Sequence, residues 1–181
     1  MIYETERLVV REWTNRADDI DRIFEIYSLA EVTKWIGMND PLPDRDQAVI
    51  LQSRWSERWP DRRFGLWAYE VKQTGIVAGT VLLVPLPEPS DGSPGQGEVE
   101  IGWHQHPDSG GRGYATEAAR GALELGFSYG LPEIHAVAWP GNEPSLAVMR
   151  RLGMQPLGRT SRWFAREAEH YMIPRPRAGG E

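Results

Sequence analysis

Residues 98–118 read EVEIGWHQHPDSGGRGYATEA, in the order strand, glycine-rich turn, helix. Glu98 to His104 alternates polar and apolar residues as a strand does. Gly110-Gly111-Arg112-Gly113 then runs straight into a helix predicted from about Tyr114 to Tyr129. The first N–H groups of a helix have no partner inside it and lie at the positive end of its dipole, so they form an anion site. Glycines let the main chain approach a ligand closely, and Arg112 adds a forked cation suited to phosphate oxygens. The segment reads as a diphosphate cradle; the plainer alternative is a turn whose glycines serve backbone angles alone. A Walker loop is excluded because no Gly-Lys-Ser/Thr triplet occurs. The dinucleotide fingerprint also fails, since Thr116 stands where glycine or alanine is needed and the turn comes late in the chain.

Working outward, Arg7 to Trp13 alternates as a strand. Ile20, Ile23, Phe24 and Tyr27 then follow the spacing of one helical face. Asp44 and Gln47 form an acidic variant of the capping box after Pro43, opening a helix striped by Ala48, Leu51, Trp55 and Trp59. That stripe suits core, or else the wall of a substrate cleft. Leu66–Val71 and Ile76–Val84 are β-rich, with Gln73-Thr74-Gly75 as a hairpin turn between them. Residues 85–97, PLPEPSDGSPGQG, read as an exposed loop between strands. Downstream come a strand from Ile134 to Trp139 and a helix from Glu143 to Leu152 closed by Gly153. Two strands follow, near Gly158–Phe164 and Glu169–Ile173. This order predicts an α+β fold, a mostly antiparallel sheet flanked by helices with one β-α-β crossover. Residues 1–173 are expected to form one domain, and 174–181 a disordered tail.

Composition narrows the function. The 181 residues are 40% hydrophobic with eight tryptophans, enough for a substantial core. No apolar run approaches the ~20 residues of a membrane span, and Met1-Ile2-Tyr3-Glu4 lacks the basic start of a secretory signal. There is no cysteine, which excludes disulfides, thiolate metal sites and a cysteine nucleophile and fits a cytoplasmic setting. A net charge of −6 argues against a general nucleic-acid binder and suits a cationic substrate such as an amine. No membrane partner is expected, a homodimer is one assembly open to the chain, and no metal is expected: His104 and His106 lack a third ligand.

The turn and the helix after it resemble the acetyl-CoA motif of the GNAT superfamily of N-acetyltransferases. The motif's Gly-x-Gly-x-Ala-Thr-Glu-Ala form, found in the RimJ/RimL-like branch, is matched from Gly111 to Ala118. Gly110 departs from it, standing where that branch carries Gln, Arg or an aromatic. A second match lies in Asn142-Glu143-Pro144-Ser145, followed by a helix closing in Leu152-Gly153-Met154. Helix capping alone would explain that segment, but its place after the first motif strengthens the resemblance. Glu6-Arg7-Leu8 opens the chain as this branch often does, and the likeness spans about residues 4 to 173.

The resemblance implies an enzyme, an acetyl-CoA-dependent N-acetyltransferase working by direct transfer. A neutral amine attacks the thioester, an oxyanion forms and the thiolate leaves. Gly110, Gly111, Arg112, Gly113, Ala115, Thr116 and Asn142 are implied to bind the acetyl-CoA. Main-chain groups around Trp103, His104 and His106 are implied to pair with the pantetheine and polarise the carbonyl. Glu100 matches a position where some members carry a glutamate base. A cross-strand ion pair is its plainer role. Glu98, His104 and His106 are the other candidates. A tyrosine that protonates the leaving thiolate in many members is Met149 here; the Asn-x-x-Ser serine, a candidate donor in RimL-like members, is Ser145, and a CoA thiolate can also leave unassisted. The expected acceptor is a protein or peptide N-terminal α-amine. A small-molecule amine and a non-catalytic acyl-CoA-binding module are the rivals.

Overall fold

The computed structural model describes residues 1–38, 40–87, 94–164 and 166–177. Eight strands form one sheet: β1 Tyr3–Glu4, β2 Leu8–Glu12, β3 Gly65–Val71, β4 Val77–Pro87, β5 Pro94–Gln105, β6 Glu133–Ala138, β7 Gln155–Thr160 and β8 Ala168–Pro174. Their spatial order is β1-β2-β3-β4-β5-β6-β8-β7, and every pairing is antiparallel except β5 with β6. The helices are α1 Ala17–Tyr27, α2 Ala30–Thr33, α3 Arg45–Arg58, α4 Tyr114–Ser128 and α5 Glu143–Arg151. Helix α4 makes the crossover between the two parallel strands. The α+β sheet expected from the sequence is the architecture found.

Alternation along the strands divides the apolar side chains between two layers. Val99 and Ile101 of β5 join Leu83, Ile134 and the buried alanines Ala118, Ala119 and Ala122 of α4. Those small residues let α4 lie close on the sheet. On the opposite face, Ile20, Ile23, Ile26 and Tyr27 of α1 pack with Trp13, Ala48 and Ala68, and Trp55 of α3 rests against them. Asp44 caps α3, its side chain accepting from the Gln47 N–H at 3.0 Å. Asp19 is the charged anchor of this layer. It is 4% exposed and accepts from both Arg11 Nη atoms and from the Thr14 N–H and hydroxyl. Burial would raise its carboxyl, but these donors outweigh burial and hold it below its ordinary value.

Four expectations change. Strands β4 and β5 run into the stretch read as a loop, with Pro87 opposite Pro94, while residues 88–93 lie outside the described residues. Strand β7 begins three residues earlier than Gly158. Nearly all of its residues are exposed, so it carries no two-residue burial pattern, and the apolar Trp163 and Phe164 drew the reading forward. Strand β1 and helix α2 are too short to show a period. Pro174 belongs to β8 and the Arg175 N–H bonds the Pro132 carbonyl at 2.8 Å, so the expected tail is partly structured. Residues 178–181 of that tail lie outside the described residues.

The Asp19 anchor yields a stability prediction. Asp19→Ala leaves two Thr14 donors without their acceptor and leaves Arg11 with Glu70 as its one remaining carboxylate, a loss on the order of 2–3 kcal/mol. Urea unfolding should show a lower midpoint with an unchanged slope. A change under about 1 kcal/mol would contradict the anchor role.

Candidate active site

Strands β5 and β6 share the register pair Glu100–His135 and then separate. From there β6 continues along β8, through Ala136 and Val137 to Ala138. β5 continues along β4 as far as Gln105. The His106 N–H bonds the Ala78 carbonyl at 3.0 Å. Antiparallel ladders alternate which residues face the partner strand, so Trp103 and Gln105 turn their main-chain groups away from β4, into the gap. A cavity of about 1990 Å³ opens there and reaches both faces of the sheet.

On the α4 side it is lined by Gly110, Gly111, Arg112, Gly113, Ala115 and Thr116. Gly111 and Gly113 adopt φ of 72° and 78°, a left-handed conformation that side chains other than glycine resist. Gly113 is the N-cap of α4 and supplies no side-chain cap, which leaves the first N–H groups of a 15-residue helix for a ligand. The N-terminal strands brace this end. Glu117 accepts from the Arg7 N–H at 2.8 Å, the Arg7 Nε at 2.6 Å and the Thr5 hydroxyl at 2.6 Å. Arg7 also donates to the Arg112 carbonyl at 3.0 Å and lies 4.9 Å over the Tyr114 ring. Burial would raise the Glu117 carboxyl, yet these bonds hold it below its ordinary value. Arg112, Arg120 and Arg151 line the same side, with the carboxylates of Glu6 and Glu124 also along it. The uncapped helix start, the left-handed glycines and the arginines together fit a phosphate-bearing cofactor.

Glu100 and His104 share a face of β5 and both line the cavity. Burial pushes the Glu100 carboxyl up to about 8, against a backbone hydrogen bond from Val137 that lowers it. None of the described ion pairs includes Glu100, so the cross-strand pair weighed for it is absent among the described residues. Glu98 instead pairs with Arg162 at 2.7 Å and does not line the cavity. Burial takes His104 down to about 4, and its Nδ1 lies 2.8 Å from the Tyr27 hydroxyl, which donates to Thr80 Oγ1 at 2.8 Å. His104, a candidate base in the sequence, is half-buried and a weak base. His106 is not brought to the cavity. Its N–H is used by Ala78, and its ring accepts from the Asp108 N–H at 3.2 Å, capping the short 3-10 turn Pro107–Ser109.

Asn142 and Ser145 both line the cavity at the start of α5. The Asn142 side-chain oxygen caps the helix by accepting from the Ser145 N–H at 3.4 Å. Met149, one turn further, is buried and also reaches the cavity. Across the gap, Leu51, Trp55 and Trp59 of the α3 stripe line it with Tyr27 and Trp35. The stripe is thus core at Ala48 and cleft wall beyond it. Sequence reading missed the roles of Arg7, Thr5 and Tyr27, which act through partners more than 50 residues away. It also missed Arg120, which the i, i+4 spacing from Thr116 could have indicated. Among the described residues no group of three or more His, Cys, Asp or Glu could hold a metal ion.

Residues 7–155 match the family described as the Acetyltransferase (GNAT) domain. The chain is 28% identical over 158 residues to the uncharacterized N-acetyltransferase YoaA of Bacillus subtilis (strain 168), covering 87% of this chain and 84% of that one. A GNAT-family acetyltransferase from Bacillus anthracis shares the fold with a TM-score of 0.75 and 23% identity, over 95% and 97% of the two chains. The spermidine N-acetyltransferase of Vibrio cholerae, solved with CoA and spermine, does so at 0.69 and 15%, over 94% and 97%.

The raised Glu100 value has a consequence for stability. Its folded value exceeds its ordinary 4.5, so the folded state keeps a proton that the unfolded chain releases, and stability falls as pH rises from about 4.5 to about 8. His104, lowered from 6.5, has the opposite slope, its stability being lost as pH falls from 6.5 toward 4. Above pH 6.5 that histidine is largely neutral in both states, leaving Glu100 to set the difference. The unfolding free energy of the wild type should decline from pH 6.5 to about 8 more steeply than that of Glu100→Gln. Equal slopes in urea titrations would show the carboxyl to be hydrated.

Proposed function

The chain belongs to the GNAT acetyltransferase family, and on that premise we propose that it acetylates the α-amine of a peptide or protein N-terminus directly from acetyl-CoA, as in the RimJ/RimL-like branch. Family and relatives are acetyltransferases, which sets aside the non-catalytic acyl-CoA-binding module. Acetyl-CoA supplies the reactive thioester. The N–H groups at the start of α4, with Arg112, hold its diphosphate, and main-chain groups of Trp103 and Gln105 bind its extended arm and polarise the carbonyl. The observation that carries the reading is Glu100, a carboxyl raised to about 8 at the point where β5 and β6 part.

An ammonium has no lone pair to attack with, so its proton must leave first. Glu100 takes it, directly or through one water, because a base titrating at about 8 matches a nucleophile of similar affinity. An α-amine has a reference pKa of ~7.7–8.0, against ~10.4 for a lysine side chain, so the proton passes nearly level from the first and uphill from the second. His104, at about 4, is too weak a base to compete. Ser145 donates a proton toward the departing sulfur, a role its neighbour Met149 cannot fill.

Glu100→Gln should lower kcat/KM about 10²–10⁴-fold, with acetyl-CoA affinity unchanged. An unchanged rate would move the base elsewhere. Acetyl-CoA at about 100 times its Kd should add roughly 2.7 kcal/mol, or about 5–10 °C in Tm. Arg112→Ala should weaken acetyl-CoA and CoA alike. A loss confined to one of the two would contradict its phosphate contact.

A further inference from the structure

Building on the reading that this cavity acetylates an amine, we propose that its acceptor is a singly charged amine carried on an aromatic or large aliphatic group, and that polycationic amines are poor acceptors. The acceptor side of the cavity is walled by Tyr27, Trp35, Trp55 and Trp59, with Leu51 and Met38 beside them. The rings brace one another: Tyr27 meets Trp55 edge-on at 5.3 Å, and Trp55 lies 6.3 Å from Trp13. Rings locked by packing present a fixed apolar surface, and an acceptor side chain laid on it gains by leaving water.

A polycation finds little there. Among the described residues, the carboxylate on this side besides Glu100 is Glu31, which is exposed, and Arg58 lines the same wall with the opposite charge. Ring faces can bind ammonium groups, but two of these are already taken by the chain's own cations. Lys34 Nζ lies 5.0 Å over the Trp35 ring and the Arg58 guanidinium 5.3 Å over Trp59. Those charges repel a second and third ammonium where they would otherwise rest. An extra ammonium drawn into this wall would be desolvated without a partner, whereas the reacting one sheds its proton to Glu100.

The chemistry has two sources, a peptide beginning with a large apolar residue and a free aromatic monoamine. The test measures thiol release at saturating acetyl-CoA for Phe-Gly-Gly, Gly-Gly-Gly, phenethylamine and spermidine. The kcat/KM of Phe-Gly-Gly or phenethylamine should exceed that of Gly-Gly-Gly by at least tenfold, with spermidine at least tenfold below the better aromatic compound. Which of the two aromatic compounds leads identifies the source. Spermidine leading, or the glycine peptide matching the aromatic compounds, would overturn the proposal. Tryptophan quenching in the presence of CoA reads binding without turnover. The same order with no thiol release would defeat the transferase reading alone, while no binding by either aromatic compound would defeat this inference. Trp35→Ala and Trp55→Leu should each reduce the Phe-Gly-Gly to Gly-Gly-Gly ratio several-fold, mainly through KM. A ratio unchanged in both variants would also overturn it.

Discussion

Beyond the register pair of Glu100 and His135, β5 and β6 leave each other, and each main-chain group past that point needs a different partner. Strand β6 finds one in β8. Strand β5 keeps β4 on one side and presents Trp103 and Gln105 to a cavity on the other. Polar main-chain groups held this way inside a sheet cost free energy when dry, and an extended, amide-bearing ligand completes the ladder. The crossover that joins the two strands is α4, so its start opens on the same gap. One departure in strand pairing thereby places an anion site, a row of waiting hydrogen-bond groups and a carboxyl side by side.

Three glutamates near this gap show how partners decide the state of one side-chain type. Glu117 is partly buried but receives bonds from Thr5 and Arg7, which outweigh burial and keep it anionic. Glu98, two residues before Glu100 on the same face, is tied to Arg162. Glu100 has no cation against it among the described ion pairs, and burial dominates. A carboxylate needs donors to stay charged out of water, and the fold gives a cation to two of these three and only the Val137 backbone to the third, too little to offset burial. The third is the one that lines the cavity beside Trp103.

The elements that were legible in the sequence are those with a burial period or a cap. The α1 face, the Asp44 cap, the glycine turn into α4 and the Asn142 cap were all readable because each is set by residues within a few positions of one another. The misread pieces lack such a code. Strand β7 buries almost nothing and is held by pairing with β8 and by Arg159 between Glu167 and Glu169. Within the site, Glu100 was named through the family resemblance, and its lack of a cationic partner depends on where Arg162 falls, 62 positions on. His106 resembled a site residue because it follows the edge strand directly. One step of the ladder turns it toward β4 and into a capping role.

The two sides of the cavity have to be held in register for an amine to meet a carbonyl, and the bond between α1 and the edge strand supplies that. Tyr27 Oη sits 2.8 Å from both Thr80 Oγ1 and His104 Nδ1, so the helix walling the acceptor side is fastened to the strand presenting Trp103 and Gln105. Misplacement by about 1 Å at such a site can cost on the order of 10²-fold in rate, so under the proposed reaction a rigid tie would serve the transfer without touching the reacting atoms. With the Tyr27 hydrogen given to Thr80, the His104 Nδ1–H donates to Tyr27 Oη, a bond that neutral and protonated rings make alike, so the neutral state of His104 bears on charge and not on the tie. In the proposed reaction, a protonated imidazole would place a second positive charge on the face where the ammonium gives up its proton, and raise the cost of bringing that ammonium in. Burial keeps the ring neutral down to about pH 4. Burial also lifts Glu100 to about 8, so one face of one strand carries a neutral histidine tied to Tyr27 and a carboxyl whose value suits the proposed role of base.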